Sequence, residues 1–235
     1  MKVCIYGAGA IGGYIGAELA QVEGVEVSLI ARGAHLAAIR ENGLKLLIGE
    51  EERVAKVTAT DNPADLGPQD YVIVALKTHQ AWEVADQMVP LLGPDTAVVT
   101  CQNGVPWWYF HGVNSAYQNL PQRAIGCVVY PATEIAEPGV VKHTYGNKFA
   151  LGEPDGSMSE RATRLSTALQ QAGFKAPVLP NIRDEIWLKL WGNLCFNPIS
   201  ALTRATLDVV ATDPGTRALS RAMMEEAQRI GARLG

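Results

Sequence analysis

The stretch KVCIYGAGAIGGYIGAELA, residues 2–20, constrains the fold more than any other part of this chain. Within it, GAGAIG sets Gly7, Gly9 and Gly12 in a G-x-G-x-x-G arrangement, directly after a Val/Ile-bearing run and before apolar residues at helical spacing. A bare match says little, because glycine-rich turns are common. The strand before it, the helix after it and a second strand-like run at 25–31 make it informative. Each glycine has its own physical task. Gly7 permits the tight turn, Gly9 lets the backbone approach a pyrophosphate, and Gly12 lets helix and strand pack closely. The turn from Gly7 through Ala8, Gly9, Ala10 and Ile11 to Gly12 then aims the free N–H groups of a helix start at phosphates. Dinucleotide binding is the expectation.

The rest of the first two-thirds fits that start. Runs at 2–7, 25–31, 70–76 and 96–101 are rich in Val and Ile, are bounded by Gly, Pro or Asp, and read as strands. Between them, 11–22, 33–42 and 80–92 carry apolar residues at helical spacing. Strands alternating with helices make βαβ units and a parallel sheet. AIGCVVYPAT and GVVKHTYGNKFALGE add further strands, the second pair in an antiparallel sense, and a helix follows over about 158–173. After Pro180 no strand signal remains. The expected class is therefore α/β, with a Rossmann-type dinucleotide-binding domain at 1–179 and an all-helical domain at 180–235.

The last helix should begin at Pro214, with Asp213 as its N-cap. Leu219, Met223, Ile230 and Leu234 form an apolar stripe along it that two or three helices can hardly bury. Either further residues or a partner chain, as in a homodimer, is expected to cover it.

The chain's 235 residues, 48% hydrophobic and 19% charged, suit a soluble globular protein. A net charge of −4 argues against a nucleic-acid surface, which needs clustered Lys and Arg. No apolar run is long enough for a membrane span. The N-terminus enters a strand at once, with glycines where a signal peptide would continue its apolar stretch, so the cytoplasm follows by default. Cys4, Cys101, Cys127 and Cys195 are far apart in sequence and lie among apolar residues, as buried reduced thiols do. His35, His79, His111 and His143 show no metal-ligand spacing, and no structural metal is expected.

Which dinucleotide binds is decided at the end of the second strand. A carboxylate there would hold the ribose 2′-hydroxyl of NAD, whereas an arginine suits the 2′-phosphate of NADP. The sequence offers LIARGAH, with no acid at Ile30 or Ala31 and then Arg32. An arginine after a strand is commonly a solvated loop residue. At this offset, with the acid missing, the phosphate reading is favoured, and NADPH is the expected cofactor.

Two more polar groups follow strands: Lys77 in LKTHQ and Asn103 in CQNGV, both at carboxyl ends, where open α/β sheets bind ligands. Asn-Gly is also a strong turn signal, but its flanks here do not alternate as a hairpin's would. Then EIWLKLWGNLCFNPISALTRA, residues 185–205, places Lys189, Asn193 and Asn197 four apart among tryptophans, leucines, Cys195 and Phe196. Residues four apart share one helical face. That face is either an ordinary solvated edge or a polar strip aimed into a cleft. PWWYF at 106–110 suggests a substrate cage, yet aromatic clusters usually pack. His79, Glu225 and Glu226 read as solvated.

Taken in order, the glycine loop, K-T-x-Q, Q-N-G and the K-x-x-x-N-x-x-x-N helix resemble the ketopantoate reductase (2-dehydropantoate 2-reductase) family over essentially the whole chain. The resemblance implies an NADPH-dependent reduction of a 2-oxo acid, most simply 2-dehydropantoate to pantoate in pantothenate biosynthesis. It makes Lys189 the proton donor, gives Asn193 and Asn197 to the substrate, and sets Lys77 and Asn103 beside the nicotinamide, with Asn103 also orienting substrate. The polar stripe then faces the cleft between domains. Two departures stand out. The family pattern has a substrate-contacting Asn where this chain has Leu207, and a Ser and a Glu in a later helical segment that the chain does not reach. A 3-hydroxy acid dehydrogenase of the 6-phosphogluconate dehydrogenase type, which also uses a Lys-x-x-x-Asn helix, is the nearest rival. A non-catalytic NADPH sensor would leave the stripe unexplained.

Overall fold

The computed structural model describes residues 1–110 and 121–234. The expectation for His111 lies outside them, as does the side chain of Leu234. The chain divides into two compact units, Met1–Ile182 and Arg183–Gly235.

The first unit opens with β1 (Lys2–Tyr6), α1 (Ala10–Leu19), β2 (Glu26–Ile30) and α2 (Gly33–Asn42). It continues with β3 (Leu44–Ile48), β4 (Glu51–Ala55), β5 (Thr58–Thr60), β6 (Gln69–Val74), α3 (Thr78–Glu83) and β7 (Leu92–Cys101). β8 (Ala124–Val129), β9 (Ala132–Glu137), β10 (Val140–Tyr145), β11 (Phe149–Gly152) and α4 (Glu160–Gln171) complete it. Seven strands form one sheet in the order β11-β8-β7-β6-β1-β2-β5. All neighbours in it are parallel except β11, which runs antiparallel to β8. From β1 the chain builds outward through β2 to β5, then crosses back to lay β6 on the other side of β1. Ligands of open α/β sheets bind at the carboxyl ends of strands where the order reverses in this way, here β1 and β6.

Two expectations need correcting. The helix expected over 80–92 is only α3, followed by a 3-10 segment at Asp86–Leu91. Pro90 lies within that segment, and a proline that can donate no N–H to the carbonyl four residues back keeps a regular α-helix from running through to Leu92. The second difference is a four-stranded sheet, β4-β3-β10-β9, that the alternation of the first domain did not foretell. In it β3 pairs parallel with β10, so the pairing joins segments some ninety residues apart in the chain (Lys45 opposite Val140).

Small residues on α1 let it sit against both sheets. A Cβ at Gly16 would stand 2.9 Å from Leu29, and one at Gly13 would stand 2.6 Å from Val141. At the far end of the helix Glu18 is buried, and the Arg53 guanidinium on β4 donates to both its oxygens at 2.8 and 2.9 Å. A paired carboxylate of this kind tolerates burial that a lone one would not.

The second unit is helical: α5 (Ile182–Thr203), α6 (Leu207–Thr212) and α7 (Pro214–Leu234). α7 starts as its sequence indicates, with the Thr216 N–H donating to the Asp213 carboxylate at 2.9 Å and Pro214 first in the helix. Its inward residues are small. Ser220 and Ala227 are buried, and Gly231 gives room to the Trp187 indole of α5, since a Cβ there would meet Nε1 at 2.3 Å. Leu219 and Ile230, from the apolar stripe, are half exposed. No helix among the described residues is long and apolar enough to cross a membrane.

Candidate active site

At the end of β1 the chain turns through Gly7, whose φ of +100° is a conformation that favours glycine. A Cβ on Gly7 would also lie 2.6 Å from Leu76. Gly12 is required by packing, because a Cβ would meet the Gly7 carbonyl oxygen at 2.1 Å. Gly9 differs from both. A Cβ there would have nothing within 4 Å, so no contact of the fold demands glycine. A bare backbone open on one side is what a pyrophosphate needs in order to approach. Gly9 is the N-cap of α1 and supplies no side-chain cap, which leaves the first N–H groups at Ala10, Ile11 and Gly12 without intrahelical acceptors. The cradle fits a dinucleotide.

Gly7, Ala8, Gly9 and Arg32 line one cavity of about 190 Å³. Arg32 is the N-cap residue of α2, is exposed, and makes no ion pair among the described residues. It lies close enough to Tyr6, another lining residue, to act on it: burial pushes the tyrosine hydroxyl above its ordinary range and the guanidinium draws it partly back. Sequence reasoning missed Asp61 and Ile135 on the same wall, which come from segments after β5 and on β9. Asp61, the one carboxylate on this wall among the described residues, stands 3.9 Å from Arg40.

Lys77 and Asn103 are exposed, just beyond the carboxyl ends of the adjacent parallel strands β6 and β7. Neither lines the cavity, but the residues beside them hold the two segments together. Gln102 donates from Nε2 to the Leu76 carbonyl at 2.9 Å, and Leu76 lines the cavity. The Lys77 N–H donates to Gln80 Oε1 at 3.3 Å, which starts α3. Gly104, at φ +89°, turns the chain away after Asn103. Gln102 and Gln80 thus position the two predicted residues, a role visible in sequence only as their being next to them.

The aromatic run divides. Trp108 is fully buried, donates from Nε1 to Thr100 Oγ1 at 2.8 Å and packs on Gly126 of β8, while Tyr109 is buried beside it. Trp107 and Phe110 are exposed. All four cysteines are buried and free, but two are not far apart in space: Cys101 and Cys127 pair in register across β7 and β8, with sulfurs 3.7 Å apart. The contact with Cys127, together with burial, holds the Cys101 thiol well above the ordinary range.

In the second unit, Lys189, Asn193 and Asn197 lie on the single helix α5. Lys189 and Asn193 are half-buried and Asn197 is exposed. Trp187, Trp191, Cys195 and Ile199 repeat at the same spacing two residues away, about 200° around the axis, and the last two are buried at 0% and 4%. One face of α5 is therefore spent on the helical core, which leaves the polar face for other chemistry. Leu207, where the resemblance leads one to look for an amide, opens α6 and is exposed.

The chain matches the family model described as ketopantoate reductase PanE/ApbA over residues 3–156, and the model of its C-terminal part over residues 181–235. It is 53% identical to a 2-dehydropantoate 2-reductase of Mesorhizobium japonicum, covering 100% of this chain and 77% of that protein. A 2-dehydropantoate 2-reductase of Archaeoglobus fulgidus is 30% identical, with 100% of this chain and 75% of that protein covered. Among solved structures, a Ralstonia eutropha JMP134 protein described as a PanE/ApbA family ketopantoate reductase superposes with a TM-score of 0.86 at 32% identity, over 99% of this chain and 74% of that one. The two family models together span both units of a chain that carries the glycine turn, the switch between β1 and β6 and the Lys/Asn/Asn helix, and the chain belongs to the ketopantoate reductase family.

Proposed function

We propose that this oxidoreductase reduces 2-dehydropantoate to pantoate with NADPH, in pantothenate biosynthesis. The observation that carries the cofactor choice is Arg32: a guanidinium with no ion pair among the described residues, on the wall of the cavity that the glycine turn also lines. A guanidinium presents a rigid fork of donors suited to a phosphate, and there it would hold the ribose 2′-phosphate. The turn from Gly7 to Gly12 would hold the pyrophosphate: Gly7 and Ala8, whose N–H groups bond the Ile30 carbonyl, would shape the turn, and Gly9, Ala10, Ile11 and Gly12 would offer backbone N–H groups at the start of α1. Lys77 and Asn103 would flank the nicotinamide, which supplies a hydride when bound.

Reduction of a ketone builds negative charge on its oxygen. Lys189, as an ammonium, would both stabilise that charge and deliver the proton. Asn193 and Asn197, with Asn103, would orient the keto acid by donating and accepting hydrogen bonds, since only a held substrate presents the right carbonyl face. The first unit would thus be the NADP-binding domain and the helical unit the substrate and catalytic domain.

The test follows the absorbance of NADPH and NADH with 2-dehydropantoate, and of NADP⁺ and NAD⁺ with 3-hydroxyisobutyrate. Turnover of 2-dehydropantoate with NADPH preferred is expected. Turnover of 3-hydroxyisobutyrate alone would assign the rival dehydrogenase chemistry, and tight NADPH binding with no turnover of either would make the chain a sensor.

A further inference from the structure

His35 has no role in the reading above, yet its ring joins three parts of the first unit. It lies on α2, three residues after Arg32, and lines the same cavity. The Gly139 N–H, in the turn between β9 and β10, donates to Nδ1 at 3.0 Å. Nδ1 must therefore be an acceptor, which places the ring proton of the neutral imidazole on Nε2. Nε2 is 2.7 Å from the Ala8 carbonyl oxygen and donates to it. One tautomer satisfies both bonds.

We propose that His35 is a positioning residue for the dinucleotide, acting by fixing the orientation of the peptide between Ala8 and Gly9. The inference rests on the reading that this cavity takes a nicotinamide dinucleotide. A trans peptide is planar, so its C=O and N–H point in opposite directions, and pinning the Ala8 carbonyl fixes where the Gly9 N–H is aimed. The chain contains no cis peptide among the described residues. On the other side, the Gly7 and Ala8 N–H groups both donate to the Ile30 carbonyl, at 3.1 and 3.0 Å. The turn is thus tied by its N–H groups to β2 and by its carbonyl to His35. Gly9 adds no side-chain restraint to the peptide before it: its carbonyl accepts from the Gly13 N–H at 2.7 Å, but it has no side chain, and a Cβ in its place would touch nothing within 4 Å. Without His35 the Ala8 carbonyl loses its hydrogen bond, and a flip of the 8–9 peptide between its two anchored neighbours would exchange a donor for a carbonyl oxygen at the start of α1, where anionic phosphates must be accepted. Gly139 in turn needs its glycine. Its φ is +81°, and a Cβ would stand 2.9 Å from Ala38, so the second sheet is brought onto α2 closely enough to orient the ring.

The pyrophosphate is common to both cofactors, so this role differs in kind from that of Arg32. His35→Ala should weaken NADPH and NADH alike, by about tenfold in Kd for the lost pair of hydrogen bonds. At saturating cofactor kcat should stay within about twofold, because no reacting atom is touched. His35→Gln keeps an N–H donor for the Ala8 carbonyl and should recover most of the affinity. Fluorescence titration of both cofactors, well below each variant's Tm, reads these effects, and ¹⁵N NMR of the ring should find the proton on Nε2. An unchanged Kd in a folded His35→Ala protein, a loss confined to NADPH, or a proton on Nδ1 would each overturn the proposal. If the unaltered protein binds neither cofactor, the cavity's assignment falls first and takes this role with it, an outcome distinct from the other three.

Discussion

The glycine turn after β1 and the polar face of α5 carry chemistry by opposite means. At the turn the working groups are backbone N–H groups, and what the sequence supplies is the absence of side chains: one Cβ at Gly12 would collide with the Gly7 carbonyl oxygen at 2.1 Å. On α5 the backbone is helical from end to end, with Pro198 within it, and the working groups are side chains, Lys189 and two amides placed four residues apart. A site made of backbone fails by shape, so its variants should lose cofactor or stability. A site made of side chains fails by chemistry, so its variants should stay folded and lose turnover.

The largest expected effect tests the side-chain half. Lys189→Ala should lower kcat by roughly 10²–10⁴-fold, the usual worth of a positioned proton donor, with NADPH affinity nearly intact. Lys189→Arg should not rescue it, since the guanidinium is bulkier and gives up its proton less readily. Steady-state kinetics beside cofactor titration reads both. Near-normal kcat in the alanine variant would return the α5 stripe to a solvated edge and dissolve the contrast.

Arg32→Ala is the next largest. Loss of a charge-assisted bond to the 2′-phosphate should cost NADPH about 1.5–3 kcal/mol and leave NADH binding where it was. Equal losses for both would make Arg32 a structural residue of α2.

Two glycines then separate packing from ligand approach within the turn itself. Gly12→Ala should destabilise the fold by about 1–3 kcal/mol or more, because backbone cannot yield to the new methyl group. Gly9→Ala should leave Tm unchanged and weaken both cofactors by roughly 1 kcal/mol, the low end of an overpacking penalty. Calorimetry and fluorescence titration on the same two variants give the comparison, and a lowered Tm for Gly9→Ala would remove it.

The smallest effects belong to the amides. Asn193→Ala and Asn197→Ala should each raise KM for the keto acid by an amount worth about 0.5–1.5 kcal/mol, with lesser changes in kcat. A fall in kcat as large as that of Lys189→Ala would mean the stripe acts as one unit instead of as a donor with two holders.

Much of this was legible in the sequence because it is local. The strand–glycine–helix start, the cap at Asp213 and the fourfold spacing on α5 depend only on neighbours within a turn or a strand, and the structure has each of them. The second sheet was harder to read. Gly43 and Gly49, both at positive φ, bound the apolar run of β3 and were its available signal, but its pairing with β10 has no local mark. The same holds for Gln102 on the Leu76 carbonyl, whose partner lies 26 residues away.

What the sequence by itself determined, then, is the alternating α/β plan, the turn at Gly7–Gly12 and the two interleaved stripes of α5, since backbone conformation and helical period follow from residue type. Tertiary structure alone decided what stands around them. It set Ile135 and Asp61 on the wall that Arg32 lines, laid Cys127 against Cys101, and let Gly139, 104 residues along the chain, hold the ring of His35 on the Ala8 carbonyl. Such contacts form when separately legible elements close on one another, and a residue's own neighbours in sequence carry no trace of them.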